Sequence, residues 1–143
     1  MKNFRNLKVI LAEDDEDYLK NYTYSLQNAG FEVYSTRNGA GIIGLLSDRP
    51  KNLFQVIVSD TDLDNESDGP DSIGLAIQEK LVDWNNTLIV GMSSIRNSED
   101  YWKGIAHAYC FYVKDCISDL GFRVKTDLDN FTKDTLGIYR RQL

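Results

Sequence analysis

Four short apolar runs in this 143-residue chain end abruptly in residues that could carry chemistry. Lys8-Val-Ile-Leu-Ala12 runs into Glu13-Asp14-Asp15, and Phe54-Gln-Val-Ile-Val-Ser59 runs into Asp60. Leu88-Ile-Val-Gly-Met92 is followed by Ser93-Ser94, and Cys110-Phe-Tyr-Val113 by Lys114. Carboxylates gathered in one place repel one another, and the usual remedy is a hard divalent cation with oxygen ligands. Mg²⁺ suits such a set, because it takes one or two carboxylates plus waters and phosphoryl oxygens and neutralises charge in phosphoryl transfer. In a site of that kind Asp60 would be the carboxylate nucleophile and would become an acyl phosphate. Lys114 would hold a second oxygen of the incoming group and Ser93 a third.

Whether these residues meet depends on the elements that carry them. Each of the four runs has the length and apolar character of a buried strand, and Phe31-Glu-Val-Tyr-Ser-Thr36 alternates as a further one. Helix-like segments lie between them. Leu19, Tyr22, Leu26 and Ala29 recur at steps of three and four up to Gly30, which closes that helix. Gly39 to Ser47 is apolar at Ile42, Ile43, Leu45 and Leu46 and stops before Pro50. Ile73, Ile77, Leu81 and Trp84 mark a third helix, and Ser98 to His107 a fourth, with Ser98 as its N-cap. Leu120, Val124, Leu128 and Phe131 share one face of a long final helix, whose start Gly121 weakens.

The pattern is (βα)5, an α/β chain. It predicts a doubly wound three-layer sandwich around a parallel five-stranded sheet of order 2-1-3-4-5. In that order the first, third, fourth and fifth strands are neighbours. Their carboxyl ends then open into one crevice, where such sheets bind ligands.

Composition excludes several classes. Apolar residues make up 42% and charged residues 27% of a chain long enough for one domain. The reading is a single domain over residues 1–143, with a core from about residue 8 to residue 135. No apolar run approaches a bilayer span, and residues 1–6 carry no signal-peptide core, so a cytoplasmic location with no membrane partner is expected. The net charge of −6 argues against direct nucleic-acid binding. Cys110 and Cys116 lack metal-ligand spacing and are expected as buried or partly buried free thiols.

Taken together, these motifs resemble the receiver domain of two-component response regulators over nearly the whole chain. That family has an acidic pair after its first strand, a phosphorylated Asp after its third, Ser/Thr and a small residue after its fourth, and Lys after its fifth. The resemblance implies Glu13 and Asp14 as the acidic pair, chosen over Asp14 and Asp15 by their distance from Gly30. Asp14 would ligate Mg²⁺ directly and Glu13 mainly through water. Asp60 would be the phosphoacceptor and a metal ligand, with the backbone carbonyl of Asp62 completing the shell. Ser93 takes the phosphate-sensing position, Ser94 the small one and Lys114 that of the lysine. Phe111 stands at the aromatic switch position, without a hydroxyl to latch it.

The chain also departs from the pattern. Asp64 and Asp115 stand where the family has prolines, and Asp115 removes the reason for a cis peptide after Lys114. Asp68-Gly69 and Ile73-Gly74-Leu75 compete for one family position in a lengthened loop.

The implied function is that of a stand-alone receiver in a phosphorelay. It would take a phosphoryl group from a sensor histidine kinase or histidine phosphotransfer protein. It would not be an enzyme beyond its own phosphorylation and dephosphorylation. Output would pass to a protein target, or to a second copy, through the surface of helix four, strand five and helix five, because the last helix consumes the chain. Two other readings compete. Val56-Ile-Val-Ser-Asp60-Thr-Asp62 also resembles a haloacid-dehalogenase-like phosphatase, with Asp60 as nucleophile and Asp62 as general acid, but that family puts its acidic pair last. A pseudo-receiver scaffold would keep the fold without phosphate, and the complete acceptor set argues against it.

Blander roles are expected elsewhere. Asp15, Glu16 and Asp17 suit a solvated helix N-terminus. His107 suits a surface or capping position. Tyr18, Tyr22 and Tyr24 suit partly buried helix packing.

Overall fold

A computed structural model describes residues 7–50, 52–94 and 98–142, with side chains to residue 135. Residues 1–6, where the absence of a signal core was read, lie outside the described part. Strands β1 (Leu7–Ala12), β2 (Phe31–Thr36), β3 (Val56–Asp60), β4 (Leu88–Ser93) and β5 (Cys110–Val113) form one parallel sheet of order β2-β1-β3-β4-β5. Helices α1 (Glu16–Asn28), α2 (Gly39–Ser47), α3 (Gly69–Gln78), α4 (Glu99–Ala106) and α5 (Leu120–Gln142) make the crossovers and cover both faces. This is the expected doubly wound α/β sandwich.

The two-residue period of the strands sorts the core into two layers. Val9, Leu11, Val56, Val58 and Val90 pack with Leu26 of α1 and with Leu120, Val124 and Leu128 of α5. Ile10, Ala12, Ile57 and Ile89 pack with Ile42 of α2, Ile73 of α3 and Trp102 of α4. Because the central strands are buried on both faces, they read as unbroken apolar runs rather than alternating ones.

Helix ends follow local chemistry. Asp15 caps α1, accepting from the N–H groups of Asp17 and Tyr18, and Gly30 takes φ +98° just past its end. His107 caps the C-terminus of α4 in the left-handed region and stacks on Trp84 at 4.6 Å. Three expectations need correction. Helix α3 stops at Gln78, because Lys80 turns left-handed, so Leu81 and Trp84 lie in the following loop. Ser98 occupies the N-cap position of α4, yet its hydroxyl makes no capping bond. Cys110 is half-buried, but Cys116 is exposed, and both are free thiols.

Gly121 also proves to be a packing requirement rather than a weakness. A Cβ there would lie 2.1 Å from the Ser25 carbonyl oxygen, so α5 can approach α1 only without a side chain. The same junction is polar: Ser25 Oγ donates to Asp119 Oδ1 (2.8 Å) and accepts from the Gly121 N–H (2.8 Å). Asp119 Oδ1 also accepts from the Phe122 N–H (3.1 Å), which caps α5. Gly121→Ala is expected to lower the melting temperature by ~5 °C or more, measured by circular dichroism.

The Phe122 N–H, and after it Ser25, hold the Asp119 carboxyl below its ordinary value of 3.8. Stability from that contact is full above pH 3.8 and is lost as pH falls through the depressed value. Asp119→Asn should therefore cost stability at neutral pH, and its difference from the parent should close in acid denaturation series below that point.

Candidate functional site

Register brings the strand ends together. Ala12 pairs with Ser59, Asp60 with Met92, and Ser93 with Val113, so Glu13, Asp60 and Lys114 leave the sheet side by side. Lys114 Nζ lies 2.6 Å from Glu13 Oε1 and 3.2 Å from Asp60 Oδ2. Glu13 is 0% exposed, Lys114 6% and Asp60 9%, so all three charges sit largely out of water. Ser93 is buried at the end of β4, and Asp14 is half-buried beside Glu13. Asp62, two residues past Asp60, has an exposed side chain.

The backbone supplies further support. The Thr61 N–H donates to Asp60 Oδ1 (2.9 Å) and the Asp15 N–H to Glu13 Oε2 (3.1 Å). Helix α3 begins hard against the end of β3. The Gly69 N–H donates to the Thr61 carbonyl (2.8 Å), and a Cβ on Gly69 would lie 2.3 Å from the Asp60 carbonyl oxygen. Of the two candidates for one loop position, Asp68-Gly69 therefore abuts Asp60. Gly74 packs instead on Ile105 of α4. Residues Lys114–Cys116 form a short 3-10 turn, and no cis peptide occurs among the described residues.

Burial dominates the electrostatics. It pushes the Glu13 carboxyl up to about 7, with the adjacent Lys114 ammonium opposing the rise and the Asp60 charge adding to it. Burial likewise raises Asp60, against the pull of Lys114. For Lys114 burial acts against the ammonium, yet Glu13 and Asp60 outweigh it and raise its pKa. One ammonium thus serves two carboxylates, with a third nearby.

The donor set fits a hard cation. Glu13, Asp14 and Asp60 each offer a carboxylate oxygen within 4.8 Å of the others. Glu13 Oε1 is fully buried and, although Lys114 is close, receives no aligned hydrogen bond. A buried carboxylate oxygen short of a donor, in a cluster with more acids than cations, is the environment Mg²⁺ relieves.

Some residues of the site escaped sequence reasoning. Arg37 donates from Nη2 to the Asp14 carbonyl (2.7 Å) and from Nε to Asp64 Oδ2 (3.1 Å), tying the β1–α1 loop to the loop after β3. Its position just after β2, beside β1, was the available signal. Tyr18, one helical turn beyond Asp14, places its ring 4.2 Å from Lys114 Nζ and stacks on Tyr22. Tyr22 is buried, whereas Tyr24 is 67% exposed, so the tyrosines do not act as one packing stripe. Phe111 is half-buried on β5, packed against the layer that contains Trp102.

With this geometry in hand, comparison with solved structures places the fold. A response regulator receiver domain protein of Methanospirillum hungatei aligns with a TM-score of 0.74 at 17% identity, covering 91% of this chain and 99% of its own. A chemotaxis response regulator of Vibrio cholerae aligns with a TM-score of 0.72 at 18% identity, over 87% of this chain and 99% of its own. A response regulator of Thermotoga maritima, solved in complex with Mg²⁺–BeF, aligns with a TM-score of 0.68 at 15% identity, over 87% and 98%. The chain has the fold of CheY-like response regulator receiver domains. No protein-family model and no curated protein matches the sequence.

Removing the shared ammonium should expose the cost of the buried acids. Lys114→Met is expected to lose of the order of 3 kcal/mol in urea denaturation with chelator present. Added Mg²⁺ should recover more stability in this variant than in the parent protein.

Proposed function

We propose that this chain is a phosphoacceptor receiver domain that takes a phosphoryl group on Asp60 from a phosphohistidine donor. The observation that carries the reading is the Asp60 carboxylate, held at 3.2 Å by Lys114 with Glu13 and Asp14 in reach of one shared cation. Asp60 is the nucleophile. An oxygen of its carboxylate bonds to phosphorus, the P–N bond to the donor imidazole breaks, and the ring nitrogen keeps the electron pair and takes up a proton.

Each neighbour has a part. Lys114 neutralises a phosphoryl oxygen, and Ser93 donates its hydroxyl to another. Glu13, Asp14, Asp60 and the backbone carbonyl of Asp62 would hold Mg²⁺, which supplies charge neutralisation across the transferring group. Thr61 N–H and Lys114 fix the acceptor in advance, so little reorganisation precedes transfer.

The acyl phosphate then biases two arrangements of Ser93, Phe111 and the α4–β5–α5 surface. The donor partner is a sensor histidine kinase or histidine phosphotransfer protein. The outlet is a protein target or a second copy bound through that surface. The phosphatase alternative needs Asp62 as a proton donor, and its exposed side chain stands outside the acid cluster. Relatives of the same fold solved with Mg²⁺–BeF or BeF3 support the cofactor and the anion chemistry.

Incubation with acetyl phosphate and Mg²⁺ should add the mass of one phosphoryl group, read by intact mass spectrometry. Chelator, or Asp60→Asn, should abolish the addition. An unlabelled parent protein under saturating donor would refute the proposal and favour a scaffold without phosphate.

A further inference from the structure

Trp102 is the largest fully buried side chain among the described residues, and it lies on α4, directly behind the acceptor loop. Two glycines clear its place. A Cβ on Gly91 of β4 would come within 2.3 Å of the ring, and one on Gly69 at the start of α3 within 3.0 Å. A buried indole N–H needs an acceptor, and a nearby carbonyl would serve. Here the acceptor is a side chain beside the phosphoacceptor: Trp102 Nε1 donates to Thr61 Oγ1 (2.9 Å). The Thr61 hydroxyl donates a hydrogen bond to the Met92 carbonyl (2.7 Å). The Thr61 N–H, in turn, is the group that holds Asp60 Oδ1 at 2.9 Å.

Both ends of this chain of bonds matter. Met92 pairs with Asp60 across the β3–β4 ladder and precedes Ser93, so the Thr61 hydroxyl joins the acceptor loop to the end of β4. The indole adds α4 to the same point. The Thr61 main chain is therefore pinned from two sides, and the Asp60 carboxylate inherits its orientation.

We propose that Trp102 is a positioning residue for the acceptor, aligning the Asp60 carboxylate through the Thr61 hydroxyl and making α4 respond directly to occupancy of that carboxylate. This rests on Asp60 being the phosphoacceptor. It adds to the Ser93 and Phe111 switch a second link that enters α4 from the residue after Asp60. Phosphorylation turns Asp60 from a carboxylate into an acyl phosphate, a mixed anhydride. The bond from the Thr61 N–H then changes, and with it the position of Thr61 Oγ1 against the indole.

The test uses acetyl phosphate labelling of Asp60 and the emission of Trp102 itself. Thr61→Val keeps the side-chain volume and removes the hydroxyl; Trp102→Phe keeps a ring and removes the N–H. Each is expected to slow labelling at saturating donor by ~5-fold, with the donor KM unchanged, as for loss of one hydrogen bond. The double variant should be no slower than either single one, and Thr61→Ser should restore the rate.

The chain has two tryptophans, so Trp84→Phe leaves Trp102 as the single reporter. Its emission should shift on adding Mg²⁺ with beryllium trifluoride and stay fixed when Asp60→Asn is added. Unslowed labelling in Thr61→Val, additive losses in the double variant, or an emission indifferent to the anion in a protein that labels normally would each overturn the inference. An unsubstituted protein that takes no label at all removes the phosphoacceptor reading and this inference with it. Thr61→Val remains decisive should Trp102→Phe fail to fold.

Discussion

The interaction on which the molecule depends is the buried ammonium of Lys114 between the carboxylates of Glu13 and Asp60. Two acids at the end of a sheet, largely out of water, repel one another, and burial makes each costlier to ionise. Lys114 lowers that cost without cancelling it, which leaves a site with more negative charge than one cation can balance. Under the proposed function the deficit has a chemical use. A site short of positive charge recruits a divalent ion, and with that ion present it can accept an anion as charged as a phosphoryl group. Asp60 is thus held in a site that is electrostatically incomplete.

The sheet order makes such a site possible. Glu13, Asp60 and Lys114 lie far apart in sequence and come together only because β1, β3, β4 and β5 are parallel neighbours whose carboxyl ends share one edge. The surrounding framework is short-range. Arg37 braces the two acidic loops, Gly69 lets α3 start against Asp60, and Thr61 ties the end of β3 to β4 and α4. Rigid strands set the spacing, and polar side chains on the loops set orientation.

How much of this was legible in the sequence follows from the physics of each feature. Buried parallel strands are apolar runs with nothing to alternate against, which made β1, β3, β4 and β5 readable, while the edge strand β2 was readable from its alternation. A run broken by charge is conspicuous for the same reason, which is why Glu13, Asp14, Asp60 and Lys114 could be named, and Ser93 stood out as the hydroxyl that ends the fourth run. Helix ends were harder. Leu81 and Trp84 keep helical spacing although the chain has already turned at Lys80: Leu81 packs on the core from the loop, and Trp84, exposed, stacks on His107 instead.

Close approaches left no trace. The glycine at position 121 reads as a poor helix former until the Ser25 carbonyl is seen beneath it. Trp102 reads as core, and only the fold reveals that its polar edge reaches the residue after Asp60. Tyr18 and Tyr24 lie on one helix and have the same composition signal, yet one lies under the ammonium and the other faces solvent. Pattern predicts burial; it does not identify the neighbour.

The sheet order also sets the sequence in which the site is completed during synthesis. Residues up to Asp60 emerge before Lys114, and they include β1 and β3, the two strands that bring Glu13 and Asp60 side by side. Lys114 leaves the ribosome only with the final third of the chain, and β5 docks on β4 at the far edge of the sheet. Until then Glu13 and Asp60 have been made without the ammonium that lies between them in the folded chain. Domains are made vectorially, N-terminus first. Here the last strand to arrive therefore brings the charge that makes the first strands comfortable together.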